Sequence, residues 1–357
     1  MVETRFPESG LSAEYGDIVI SEVSSELIIS VSYLGNWVLS EKYFPDSAGK
    51  VAFKNLGKLA EDYFKPGSLS LAGGVFALPV TFLVSVDCDA EQESILKNVT
   101  IYPCVVDFSG TVDVALLAQI PLSRATQKVT AQGRKEFISF YGNKTITLYV
   151  VYRGADRDMA ETVEFTTLAN ANTIYTLDVS PAVIADFIGQ AESALVYYNL
   201  YSSADSIIRF FVSTRLWQFE KTFLFVNCFG AQESFTCTGD ENEERQWTRE
   251  YGNFNDRKIN YKRELENAIK INTGYLVNQD IEVVEDLLNS DSIYMIDEAG
   301  LQEVTVLNEE FSDTSRKDEV KSVTFTYRLA QHNQFKSRYQ AFRKPRVFTP
   351  DFDTSFE

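Results

Sequence analysis

Apolar and polar residues alternate along most of the chain, which predicts a fold built mainly from β-strands. In the clearest run, Ile146, Leu148, Val150 and Tyr152 occupy every second position. Side chains two residues apart share one face of a strand, so this run predicts a strand with one buried face. The run ends at Gly154, and comparable runs separated by Gly, Pro and Asp recur along the chain.

The order of strands in residues 26–110 recurs in residues 145–230. In both segments, strands lead into a short helical segment and then into a closing apolar strand. Three pairs of matching positions lie 119, 124 and 124 residues apart: Tyr33 with Tyr152, Leu59 with Val183, and Cys104 with Cys228. A nearly constant offset is expected after duplication of a domain, so we interpret the segments as tandem domains. Chance similarity between two all-β segments is the alternative interpretation.

Helical patterns are confined to short segments. Asn55 is a suitable N-cap for a helix over residues 56–64. Ser180 followed by Pro181 predicts the start of the corresponding helix in the second copy. A further short helix is expected within residues 112–120.

A third module is expected beyond residue 230. We interpret residues 245–249 as the hairpin partner of a strand over 233–238. A longer helix over 278–289 has one apolar face and a suitable N-cap in Asn278. A strand, a hairpin partner and a last strand up to Leu329 follow it.

These elements predict a mainly β fold. Two tandem, duplicated β-sandwich-like domains each carry a short helix, and a C-terminal β-rich domain carries one longer helix. At 357 residues the chain is long enough for several domains with their own cores. The expected divisions are an N-terminal arm or edge strand (1–16), a first β domain (17–118), a second β domain (119–230), a C-terminal β/α domain (231–330) and an extended C-terminal tail (331–357).

The net charge of −18 narrows the range of partners. Phosphate backbones and anionic lipid surfaces repel such a chain, so we expect no nucleic-acid binding by its body. No apolar run reaches the length of a membrane span, so no membrane insertion is expected. The first residues lack the pattern of a secretory signal, and we therefore expect Cys88, Cys104, Cys228 and Cys237 to be reduced and mostly buried.

No sequence motif predicts catalysis or a cofactor. The single histidine, His332, excludes a multi-histidine metal site, and no glycine-rich phosphate loop is present. The acidic turn at residues 87–93 lacks the register of a calcium loop, so a solvated turn is favoured. Trp37, Trp217 and Trp247 are expected to pack in cores or interfaces. Carboxylate pairs suited to glycoside hydrolysis remain an open alternative.

The C-terminal tail carries basic residues between aromatic ones, in a chain that is otherwise acidic. Its candidate docking residues are Phe335, Lys336, Arg338, Tyr339, Phe342, Arg343, Lys344 and Arg346. Docking onto an acidic neighbouring subunit is the favoured interpretation, because the body of the same protein supplies the acid. A plain disordered tail and a nucleic-acid contact are the alternatives.

Several sequence segments resemble structural proteins of the tail or baseplate of phages and prophages of Bacteroidetes bacteria. These segments are residues 45–51, 56–59, 225–230, 233–239, 287–290 and 325–330, together with Tyr294. The resemblance implies a non-enzymatic part of a symmetric assembly. It also implies synthesis in the host cytoplasm and incorporation into the virion.

We therefore expect a building block that forms a homo-oligomeric ring and contacts other phage tail proteins. Tandem β domains supply stiff walls, and strand edges and chain ends supply contacts between subunits. A glycan- or receptor-binding β-sandwich protein is the alternative from another class. An enzyme acting on polysaccharide is the least favoured.

Overall fold

The computed structural model describes residues 2–13, 15–64, 68–88, 93–104, 114–203, 206–215, 217–254, 257–298, 300–311 and 321–330. Within these ranges the protein is mainly β, as the sequence predicts, and its strands form five sheets. Two three-stranded and two five-stranded sheets lie in the N-terminal two thirds. A seven-stranded sheet follows.

The first domain packs a three-stranded sheet against a five-stranded sheet. Its elements are β1 (Val2–Arg5), β2 (Ser9–Leu11), β3 (Ile18–Ser21), β4 (Leu27–Tyr33), β5 (Asn36–Tyr43), β6 (Val51–Phe53), α1 (Leu56–Glu61), β7 (Gly74–Ala77), β8 (Val80–Cys88) and β9 (Glu93–Tyr102). The sheet orders are β1-β3-β6 and β2-β9-β8-β4-β5. The expected N-terminal arm therefore supplies edge strands to both sheets. Alternate residues of β4 and β8 point into one core between the sheets.

The second domain repeats this arrangement. After the short helix α2 (Val114–Leu117), its elements are β10 (Gln127–Ala131), β11 (Phe137–Tyr141), β12 (Lys144–Arg153), β13 (Asp158–Leu168), β14 (Ile174–Asp178), α3 (Pro181–Ile188), β15 (Leu195–Ser203) and β16 (Ser206–Ser213). The sheet orders are β11-β14-β7 and β10-β16-β15-β12-β13. Here too the alternating apolar residues of the long strands face an enclosed core.

The two five-stranded sheets have the same strand order and the same directions. In each, a parallel edge strand, β2 or β10, flanks four antiparallel strands. Val31 of β4 and Val150 of β12 are both fully buried at equivalent places in the strand next to one edge of each sheet. Shared order, direction and facing are what duplication of a domain produces, which strengthens that interpretation over chance similarity.

The expected match between Cys104 and Cys228 is wrong. The strand equivalent to β9 is β16, whereas the strand before Cys228 is β17 (Lys221–Val226). That strand pairs with its neighbours in the seven-stranded sheet, and among the described residues it has no ladder to the second domain. Periodicity suggested the match because both strands are apolar and precede a cysteine, but partner strands decide membership of a sheet.

The third domain is one antiparallel sheet that curls around a helix. With β17 it contains β18 (Gln232–Cys237), β19 (Glu241–Phe254), β20 (Arg257–Asn272), α4 (Asn278–Leu288), β21 (Ile293–Asp297), β22 (Gly300–Phe311) and β23 (Val323–Leu329). The order is β18-β17-β21-β22-β23-β20-β19. Val283 and Leu287 of α4 are buried against the aromatic residues of this sheet.

The two edge strands of this sheet, β18 and β19, are consecutive in sequence. Only residues 238–240 connect them, a link that spans at most about 14 Å. The Thr238 N–H donates to the Thr273 carbonyl at 3.1 Å, next to the end of β20. The sheet edges therefore meet at one end. The expected hairpin between residues 233–238 and 245–249 is wrong, because β19 pairs with β20.

The helix starts differ in detail from their predicted caps. Asn55 and Ser180 precede α1 and α3 as expected, but neither side chain caps its helix. Asn55 adopts a left-handed conformation with φ 64°, and the Ser180 hydroxyl donates to Asp178. Asn278 is the first residue of α4, and Val277 takes the cap position, where Asp280 accepts its N–H at 3.1 Å.

Candidate functional site

The three domains share a hydrophobic core at their junction. Tyr102 and Cys104 of the first domain, Phe137 of the second, and Leu224 and Phe229 of the third belong to one buried cluster. Strand β7 lies within the first domain in sequence, between α1 and β8, but pairs with β14 of the second. If the three domains were independent bodies joined by flexible linkers, these apolar side chains would be exposed to water. Because they are buried together, the domains form one unit.

A buried ion pair lies beside this core. Lys128 Nζ of β10 lies 2.6 Å from Glu233 Oε1 of β18, and the two side chains are 8% and 0% exposed. The Glu233 carboxylate also accepts hydrogen bonds from the Ser123 hydroxyl at 2.6 Å and from Asn227 Nδ2 at 2.7 Å. A buried charge is tolerated when its partners are this complete.

Strand β11 lies alongside β18 and is joined to it through side chains. The Phe137 N–H donates to Ser234 Oγ at 2.9 Å, and Ser139 Oγ donates to the Gln232 carbonyl at 2.8 Å. Ser234 Oγ also lies 3.1 Å from Glu136 Oε2. Burial raises the pKa of Glu136. This seam therefore joins the second and third domains through specific polar contacts as well as apolar ones.

Two arginines extend the polar contacts to the rim of the junction. Arg134 makes a two-pronged contact with Glu220, at 3.1 Å and 3.0 Å, and its guanidinium lies 4.3 Å from the Trp217 ring centroid. Arg124 forms ion pairs of 3.2–3.4 Å with three acidic side chains of α4: Glu282, Glu285 and Asp286. A planar guanidinium group suits such contacts because its fixed N–H geometry orients the carboxylate while its positive charge attracts it.

A cavity of about 160 Å³ lies over this seam. Lys128, Glu136, Trp217 and Asp280 are among its lining residues, and burial raises the pKa of Asp280. Lys128 and Glu136 are already engaged in the interdomain contacts described above. The arrangement therefore fixes domain orientation, and its polar groups are used for packing.

A second feature is the outer face of the five-stranded sheet of the first domain. Trp37, Leu83 and Leu96 are 73%, 39% and 61% exposed on this face. The register places Trp37 and Leu83 on either side of Ser32, and Leu96 beside Ser85. Trp37 was expected to pack in a core or an interface; within this chain it does not lie in the core.

A third feature is a groove on the outer face of the corresponding sheet in the second domain. Its volume is about 480 Å³ and it opens above β12, β13 and β15. The lining consists of Thr145, Thr147, Tyr149, Thr162, Tyr201, Ser202 and Ser203. These seven side chains are uncharged and present hydroxyl groups and aromatic rings, and Glu164 of β13 lies beside them, paired with Thr147.

The candidate docking residues of the tail, Phe335 to Arg346, lie outside the described residues, as does His332. All four cysteines are buried free thiols, as predicted. Within the described ranges no cluster of His, Cys, Asp and Glu is arranged to hold a metal ion. The helices of those ranges include none with the length and hydrophobicity to cross a bilayer.

Sequence reasoning did not find the buried polar seam. Lys128, Glu136 and Glu233 are isolated charges between apolar residues, and their partners lie about one hundred positions away. One signal in the sequence points to it. Glu233 lies inside an alternating strand, at a position where alternation places it on the same face as apolar residues. No known family model matches the sequence, and a search of curated proteins gave no match.

Proposed function

We propose that the chain is a structural subunit of a phage tail or baseplate that assembles into a ring with copies of itself and neighbouring virion proteins. The observation that carries this proposal is the shared core of the three domains. A subunit of a load-bearing shell must keep its domains in fixed relative positions. A common core and the buried seam of Lys128 and Glu233 meet that requirement.

The outer face of the first domain is the contact that we assign to a second copy. Copies of a chain of net charge −18 repel each other, so a contact between their sheet faces is most stable where those faces carry little charge. The cross-strand rows that contain Trp37, Leu83 and Leu96 otherwise hold serine and asparagine. Exposed aromatic and aliphatic side chains in such a patch mark interaction surfaces.

The basic tail supplies a second contact in this proposal. Its five cations, Lys336, Arg338, Arg343, Lys344 and Arg346, would pair with the acidic surface of the adjoining subunit. Such pairing is screened by salt, because the Debye length falls to about 8 Å at physiological ionic strength. Replacing all five by Gln should weaken assembly most at low salt. Equal weakening at all salt concentrations would contradict electrostatic docking.

The oligomeric state of the purified full chain tests the proposal. We expect rings by negative-stain microscopy and a matching mass by light scattering. The double variant Trp37→Ser/Leu96→Ser should be largely monomeric. Its control is Tyr275→Ser/Leu307→Ser, which removes an exposed aromatic and an exposed leucine from the third domain. A wild-type chain that stays monomeric at high micromolar concentration would contradict self-assembly.

The virion assignment has its own test. Phage particles whose genome encodes this chain should contain it in many copies, detected by mass spectrometry of purified particles. Antibody labelling should place it on the tail or baseplate. If the chain forms rings in solution but is absent from purified particles, the proposal of self-assembly stands and the proposal that it is a virion protein is wrong.

A further inference from the structure

The outer face of the second domain carries aromatic residues that its fold does not require. Strand register relates the two five-stranded sheets, because Ser30 pairs with Ser85 where Tyr149 pairs with Asn199. The same register assigns each outward aromatic of the second domain a counterpart in the first. Tyr149, Tyr197, Tyr201 and Phe211 correspond to Ser30, Leu83, Asp87 and Asn98.

Three of these four outward positions hold polar residues in the first domain, and the fourth holds Leu83, so the fold does not require an aromatic ring at any of them. The inward neighbours Leu148 and Leu200 are fully buried and supply the core of the second domain. Tyrosine rings on the solvent side add nothing to that core. Their concentration on one face therefore calls for an explanation outside the stability of the domain.

These aromatic residues are held in fixed positions. The Arg209 guanidinium lies 5.6 Å from the Tyr197 ring centroid, and its Nε donates to Asn199 Oδ1 at 2.9 Å. Asn199 Nδ2 in turn lies 3.4 Å from the Tyr201 hydroxyl. A hydrogen bond with Tyr149 raises the pKa of Tyr197. A surface already ordered in this way loses little entropy when a ligand binds.

The groove lies between two of these rings. Thr147 pairs with Tyr201, and Tyr149 lies two residues farther along the same face of β12, so the two tyrosines are diagonal neighbours on adjacent strands. Thr145, Thr162 and Ser203 add further hydroxyl groups to the lining. The volume of about 480 Å³ falls in the range of sites for small ligands, about 300–1,000 Å³.

We infer that this groove binds a neutral carbohydrate, with Tyr149 and Tyr201 against the apolar C–H faces of sugar rings and the threonines at the sugar hydroxyls. Sugar rings combine an apolar face with a polar rim, and tyrosine offers the matching combination. The groove lining holds no charged side chain, which favours a neutral sugar over an anionic one. Tyrosine is frequent at protein interfaces as well, but five of the seven lining residues are serine or threonine, which are under-represented among the residues that dominate protein–protein binding.

Binding of the full chain to an array of neutral oligosaccharides tests the inference, followed by calorimetry with the strongest ligand. The array should contain oligomers of glucose, mannose, galactose and N-acetylglucosamine, with sialylated and sulfated sugars as charged comparisons. We expect at least one neutral oligosaccharide to bind. Tyr149→Ala and Tyr201→Ala should each weaken that binding by about ten-fold.

Two variants give matched controls. Tyr201→Phe keeps the ring and should change affinity less than Tyr201→Ala, while Tyr275→Ala removes an exposed tyrosine from the third domain and should change nothing. Melting temperatures confirm that each variant is folded. The inference is overturned if no neutral oligosaccharide binds, if only charged sugars bind, or if both alanine variants bind like wild type. It is also overturned if those variants break up an oligomer, because the face would then contact a second copy.

Discussion

Lys128 Nζ lies 2.6 Å from Glu233 Oε1 across the boundary between the second and third domains, and water has almost no access to either side chain. Two residues separated by 105 positions thus form the best enclosed ion pair among the described residues. Removing one member leaves the other charge buried without compensation. The pair is therefore a sensitive probe of how firmly the domains are joined.

Lys128→Met should destabilise the protein by about 3–5 kcal/mol, because Glu233 would remain charged and buried. The double variant Lys128→Met/Glu233→Gln should recover a large part of this loss, since no isolated charge remains. Chemical denaturation of wild type, the single variants Lys128→Met and Glu233→Gln, and the double variant gives the coupling energy. Lys42→Met is the control: its 2.7 Å pair with Glu26 is exposed and should contribute at most about 1 kcal/mol. Similar losses for Lys128→Met and Lys42→Met would contradict the buried role.

Lys144 predicts a rise of stability with pH. Its ammonium lies 5.7 Å from the Phe140 ring centroid, and burial lowers its pKa from 10.5 to about 8. Between these two pKa values the unfolded chain binds more protons than the folded one, so the free energy of unfolding increases with pH. Below pH 8 the cost of burying the charge is fully present.

Lys144→Met should accordingly stabilise the protein at pH 7 and remove this rise. We expect about 1 kcal/mol, less than the pKa shift alone implies, because part of the side chain remains in contact with solvent. The difference in unfolding free energy between wild type and variant, measured from pH 7 to 10, isolates this one group from the tyrosines. A difference that does not change over that range would refute the assignment.

The shared core predicts that the domains unfold together. Phe137 is fully buried in the cluster to which all three domains contribute. Phe137→Ala should cost about 3–5 kcal/mol and should speed amide hydrogen exchange in β9, β15 and β17 alike. Phe82→Ala, in the core of the first domain alone, provides the comparison and should act mainly on β4 and β8. Separate melting transitions in wild type would argue against one cooperative unit.

The cysteines predict a slow response to thiol reagents. Cys88, Cys104, Cys228 and Cys237 are buried, and burial is the main cause that raises the pKa of Cys228 and of Cys237. Buried thiols of high pKa react slowly. A chromogenic disulfide reagent should therefore label none within minutes in buffer and four in denaturant. Fast labelling of any one in buffer would show that its site opens.

The mainly β character and the longest helix could be predicted from the sequence because both are local properties. Alternation in β12 and the apolar face of α4 repeat within a few residues, and they identify each element without reference to the rest of the chain. The similarity of the two N-terminal domains was also accessible. The buried positions of their strands recur at the same spacing in both domains, although several of the residues at those positions differ.

Partner strands and buried charges could not be predicted in this way. Nothing local to β7 indicates that it pairs with β14, and β17 looks like a closing strand of the second domain until its neighbours are known. The Glu233 side chain is polar by type and is buried only because Lys128, Ser123 and Asn227 converge on it. Such contacts form only in the folded protein, and they leave no repeating pattern in the sequence.

Strand β7 has a mechanical consequence. It pairs with β14 of the second domain through Gly74, Val75 and Ala77. Only Leu78 and Pro79 separate it from β8 of the first domain. Fully extended, that link can span only about 10 Å. A force that pulls the two domains apart therefore acts on the hydrogen bonds between β7 and β14 after little extension. The two domains resist such a force together, whereas domains joined by a long linker would first move apart.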